Sequence, residues 1–183
     1  MIKGLRFQIG QWKVKYIILA ILLVLLHLLV IGAIQVQDGL NLGKYIIAAI
    51  PVTMVTLLWD RLAPFIDDVV KYSHNEATTE AAKEQLLAGN LLSVIVCEGN
   101  EIIALALLEL RTFDTGEKAL FIPIFGGSKM EEWADQMLKV LHAIAKDFGC
   151  TQLRGIGARK GWTRYLKSHG WEEYSVTIGC EVK

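Results

Sequence analysis

The chain has 183 residues, enough for one ordinary domain and an appendage, and 53% of them are hydrophobic. Its 19 basic and 19 acidic residues cancel to a formal net charge of zero, which excludes a broad electrostatic grip on nucleic acid. The three cysteines, Cys97, Cys150 and Cys180, lie far apart with no CxxC pair and no Cys/His ligand spacing. No metal site is expected, and free thiols in a reducing compartment are.

The hydrophobic excess sits mostly before residue 60. Tyr16 to Ile34, YIILAILLVLLHLLVIGAI, is uncharged and close to the roughly 20 residues that a membrane-spanning helix needs. Lys3, Arg6, Lys13 and Lys15 precede it, with Trp12 and Tyr16 at the expected interface. Basic flanks predict an N-terminus on the cytoplasmic side. A cleaved signal peptide is the rival reading, against which stand the length of the run and the lack of a closing small-x-small site. His27, in mid-run, reads as a neutral histidine facing a partner helix rather than a proton relay.

A second apolar run, Tyr45 to Trp59, follows the polar turn QVQDGLNLGK and carries Pro51 in its middle. It reads as the return arm of a helical hairpin or as an interfacial segment leading into the folded domain. The hairpin is the expectation. It gives a membrane-anchored protein whose C-terminal domain is cytoplasmic, whereas a single span would export that domain. Met54 is an alternative start, so the division is a membrane-anchoring segment at 1–53 and a folded domain at 54–183.

Beyond Leu57 the pattern is that of a globular domain. LLWDRLAPFIDDVVKY puts Leu58, Leu62, Phe65 or Ile66, and Val69 on one helical face, with a kink or early turn at Pro64. TTEAAKEQLLAG is a second helix, opened by threonine and acid and closed by Gly89. LLSVIVCEGNEIIALALLELRTF and EKALFIPIF hold three strands joined by turns at 98–101 and 114–117, an antiparallel meander. A helix is predicted from Ser128 to Phe148, with Ser128 and Glu131 as a capping box. TQLRGIGA is a further strand, RKGWTRYLKSHG a helix, and EEYSVTIGCEVK a closing strand or strand pair. The order predicts an α+β fold, a mixed sheet flanked by helices.

That order resembles the GNAT-type N-acetyltransferase superfamily over about residues 57–183. The resemblance implies an acetyl-CoA-dependent acyltransferase whose third meander strand, Ala119 to Phe125, leads into a pyrophosphate loop, Gly126-Gly127-Ser128-Lys129. Ile124 and Phe125 would then lie beside the cofactor and supply a strand amide to its thioester carbonyl. Free amides and the helix dipole favour an anion at such a corner, and glycines allow close backbone approach. Gly170-Trp171 match the family's helix ending. Arg159, Gly161, Trp162 and Arg164 resemble a pattern in GNAT-like proteins of phage genomes, and Arg159 joins the cofactor-binding set. Two departures stand out: no basic residue precedes the glycines, and Leu166 occupies the place of the family's general-acid tyrosine, with Tyr165 one residue away. Glu109 in the second meander strand is the candidate base for the amine, opposed by a solvent-facing reading. Tyr165 is the candidate acid.

Other residues carry plainer readings. His142 reads as a packing or boundary residue and His169 as a favourable cation at a helix end. Arg154, Arg159, Lys160, Arg164 and Lys167 form a solvated basic face or touch CoA phosphates. The expected partners are a small-molecule or protein amine and, through the N-terminal helix, a membrane; monomer and homodimer both stay open. The alternative function is a catalytically idle GNAT-fold module for structure or binding, and a third reading makes the apolar N-terminus the working part.

Overall fold

The computed structural model describes residues 43–74, 76–156 and 160–175. Contacts divide the chain into a unit ending at Ile46 and a second from Ile47 to Lys183. The run Tyr16–Ile34, with His27, lies outside the described residues, as do Arg159 and Cys180.

Pro51 decides the fate of the second apolar run. It has no N–H for a sheet or a helix interior. With φ −61° and ψ 146° it ends strand β1, Tyr45–Ile50, and stands at the N-cap of helix α1, Val52–Val70. The run is therefore not the return arm of a hairpin: it is half strand and half helix. Among the described residues no helix is long and apolar enough to cross a membrane. α1 buries Val55, Leu62 and Ile66 on one face, and Pro64 lies inside it on the exposed side.

Helix α2, Thr79–Leu87, begins as expected. The Thr78 hydroxyl accepts from the Ala81 amide at 3.1 Å, and Glu80 complements the dipole in the first turn. The Thr79 hydroxyl donates to Asp67 and so ties α2 to α1.

Strands β2 (Leu92–Glu98), β3 (Glu101–Thr112) and β4 (Lys118–Gly127) form the predicted antiparallel meander. Strand β5, Gln152–Gly155, joins β4 in parallel, and the sheet runs β1-β2-β3-β4-β5. The mixed sheet is thus as expected. Helix α3 spans Met130–Asp147 and helix α4 Lys160–Ser168. On one face Leu105, Leu107 and Ile124 pack with Val55, Leu62, Ile66, Ala82 and Leu86 of α1 and α2. Ala104, Ala106 and Leu108 alternate to the other face and are fully buried. α3 buries Trp133, Met137 and Leu141.

Three further expectations change. α3 starts two residues later than predicted, and its N-cap is Lys129, in the left-handed region at φ 56°, with no side-chain cap. Ser128 and Glu131 form no capping box, because the Ser128 amide continues the sheet and donates to Ile103 O at 3.0 Å. Glu172–Ser175 carry no strand, and the rest of the predicted closing segment lies outside the described residues. Cys97 and Cys150 are free thiols, and burial pushes that of Cys97 up.

Candidate active site

The site is built by a single proline in β4. Pro has no ladder donor and is confined in sheets to edges and bulges. β4 is flanked by strands on both sides, so Pro123 has to sit in a bulge, and it does: Phe121 pairs with Glu109 and Ile124 with Leu107, leaving Ile122 and Pro123 opposite Leu108 alone. The extra residue reverses which backbone groups face outward. Before it, Lys118 O and Ile122 O accept from Thr151 and Ile156 of the β5 side. After it, the Ser128 amide points to β3. Alternation then directs Ile124 and Gly126 to β3, and the amides and carbonyls of Phe125 and Gly127 to the opposite side.

On that side β5 has ended. Its pairing with β4 covers only Ala119–Ile122. Among the described residues, Pro123–Gly127 therefore extend past β5 as a one-sided edge, with outward backbone groups at Phe125 and Gly127.

Gly126 and Gly127 belong to this strand, so the segment between β4 and α3 is shorter than the expected four-residue loop. A Cβ on Gly126 would lie 2.9 Å from Phe65 O and Val69 Cγ2, so α1 crosses directly over it. A Cβ on Gly127, at φ 154°, would lie 2.4 Å from Ala104 Cβ. Both glycines are required by packing. Only Ser128 and Lys129 link β4 to α3. The Ser128 carbonyl accepts from Trp133 Nε1 at 2.7 Å, and the Lys129 ammonium pairs with Glu98. The first turn of α3 carries Glu131 and Glu132.

Above the exposed edge lies a row of aromatic rings. Phe125 meets Trp133 at 5.7 Å and Trp162 edge-on at 4.5 Å between centroids. Trp162 stacks on Tyr165, and Tyr165 on His169 at 4.2 Å. The Tyr165 hydroxyl donates to Asp135 of α3. His169 Nε2 lies 3.0 Å from the same carboxylate, and its Nδ1 lies 2.9 Å from Tyr165 O. Burial, and then Asp135, push the Tyr165 phenol up to about 12. Asp135 is held below the usual carboxylate range, chiefly by that hydroxyl. Leu166, one residue on, is buried in the core.

Of the residues singled out in the sequence, Phe125, Gly127 and Tyr165 come together in this row and edge. Ile124 is buried with its backbone turned to β3. Glu109 is elsewhere: it pairs across the sheet with Phe121, where β5 still covers β4, and bonds Arg111 at 2.8 Å. His142 is exposed and lines, with Lys146, Gly149 and Leu153, an open depression of about 530 Å³ at the far end of α3. Arg154 stacks over Phe113 and Tyr174, and Lys167 pairs with Glu173. Sequence reasoning missed Trp133, Asp135 and the bulge. Pro123 inside an otherwise β-branched strand was the available signal.

No family model matches the chain, and no curated protein does. Solved structures do. An aminoglycoside acetyltransferase from an uncultured soil metagenomic sample is 14% identical with a TM-score of 0.57, covering 77% of this chain and 100% of that one. A predicted acetyltransferase from Clostridium acetobutylicum, solved with acetyl-CoA, is 19% identical with a TM-score of 0.54, covering 75% and 96%. A GNAT family acetyltransferase of Staphylococcus aureus subsp. aureus is 12% identical with a TM-score of 0.55, covering 76% and 100%. With its mixed sheet, its bulged fourth strand and the helix that follows, the chain has the fold of the GNAT-family acetyltransferases.

Proposed function

We propose that the chain binds acetyl-CoA along the exposed edge of β4 and transfers the acetyl group to the amine of a small molecule. The observation that carries this reading is the bulge at Pro123, which turns the Phe125 and Gly127 backbone outward just where β5 ends. A neutral strand edge suits the amide-rich pantetheine arm of the carrier, so the residues fit that part of it. The acetyl-CoA in the Clostridium structure supports the donor, and the aminoglycoside enzyme supports a small amine as acceptor.

When bound, the thioester would supply an activated acetyl group: the C–N bond to the amine would form as the C–S bond breaks, the carrier leaving as its thiolate, which takes up the proton that the amine nitrogen loses. The outward amide of Phe125 is the donor available to the thioester carbonyl, a preorganised dipole of the kind that stabilises a developing oxyanion. The rings of Phe125, Trp133 and Trp162 keep water from the inner side of the edge. Tyr165, raised to about 12, keeps its proton at neutral pH and holds it on the hydroxyl shared with Asp135. Glu109 is not a base in this scheme, because it lies opposite Phe121 on the other side of the bulge from the edge and is paired with Arg111.

Thermal unfolding with and without millimolar acetyl-CoA tests the reading. Ligand at one hundred times Kd stabilises by about 2.7 kcal/mol, so a rise of several degrees is expected together with acetylation of simple amines. The second reading, an idle GNAT-fold module, is favoured by the Phe125 ring packed against Trp162 beside the edge. It predicts no rise.

A further inference from the structure

Resting on that reading, we infer that the site recognises its acyl carrier by the pantetheine arm, the start of α3 giving no grip on the diphosphate of CoA. The ligand class is a pantetheine thioester, free or attached to a carrier.

Four features at the start of α3 argue this together. Gly126 is buried beneath α1, and a side chain on Gly127 would meet Ala104, so packing rather than a diphosphate accounts for both glycines. The Ser128 amide is used by Ile103 O and the Ser128 carbonyl by Trp133. The cation of the corner, Lys129, is paired with Glu98. Glu131 and Glu132 occupy the first turn, where they complement the helix dipole and meet an incoming phosphate with like charge. The edge at Phe125 and Gly127 has the opposite character: it offers neutral donors and acceptors, matched to the two amides of pantetheine and indifferent to phosphate.

The test is calorimetric titration of the full chain with acetyl-CoA, with S-acetylpantetheine, and with an acetylated phosphopantetheinyl carrier protein. The inference expects acetyl-CoA and S-acetylpantetheine to bind within about threefold of each other, and the acetyl-CoA affinity to change little with added salt. A tighter carrier-protein complex would identify the carrier as the source, and equal affinities a free thioester. E131Q/E132Q should tighten acetyl-CoA several-fold and leave S-acetylpantetheine unchanged. Acetyl-CoA binding more than tenfold tighter than S-acetylpantetheine, or an R159A loss confined to acetyl-CoA, would overturn the inference while leaving acetyl-CoA binding in place. Binding of none of the three would overturn both.

Discussion

Strand β4 has two halves with opposite fates. Ala119–Phe121 are paired on both sides, to β3 and to β5, and Ala119, Leu120 and the adjoining Ile122 are buried there. Ile124–Gly127 keep β3 but outrun β5, and in this half the backbone groups of Phe125 and Gly127 face outward. A bulge of one residue separates a strand that holds the fold from a strand edge that can hold a ligand. Stability and binding should therefore separate along the same ten residues.

The largest effect belongs to the first half. Leu120→Ala, at a fully buried position, should cost about 4 kcal/mol in denaturant unfolding through lost burial and the cavity left behind. At temperatures where it stays folded, its ligand affinity should be unchanged. A loss of affinity there would mean that the halves are coupled.

In the second half, Gly127→Val should cost about 3 kcal/mol, from overpacking against Ala104 and from a φ that valine resists. A phosphate loop in this position would lose affinity and keep its stability. Near-normal stability in the variant would restore that loop.

The aromatic row sharpens the comparison through pH. Tyr165 is raised above its unfolded value near 10, so its bond to Asp135 stabilises fully below that pH and is lost as pH rises towards about 12. Asp135 is lowered, so its share is present above the ordinary carboxylate value and is lost as pH falls below that value through the lowered one. Asp135→Asn should bring the phenol back towards its ordinary value, read by phenolate absorbance. An unchanged midpoint would leave burial as the whole cause.

The smallest effect contrasts two cap positions. Thr78→Ala should cost about 1 kcal/mol by removing the cap of α2. Ser128→Ala should stay within about 0.5 kcal/mol, because its side chain caps nothing.

These contrasts also show what the sequence could tell. The meander, α2 and its threonine cap were legible, since alternation, turn glycines and capping are local rules. The start of α3 was not. Ser128-x-x-Glu131 satisfies the local capping pattern, but β3 reaches the Ser128 amide first, a tertiary contact with no local mark. Tyr45–Trp59 was ambiguous because an unbroken apolar run fits a strand or a helix, and only Pro51 divides it. At the site, Gly126-Gly127 drew attention for flexibility although packing is what demands them. Pro123, which creates the edge, went unread. Tyr165 was found, but its partner Asp135 was not, because their pairing depends on how α3 and α4 meet.

The central claim concerns two amides. In an amide NMR titration with acetyl-CoA, the Phe125 and Gly127 N–H signals should shift and gain exchange protection. Those of Ile124 and Gly126, already bonded to β3, should move little. Unmoved Phe125 and Gly127 signals at millimolar ligand, or changes confined to the far end of α3 around His142 and Gly149, would contradict the account.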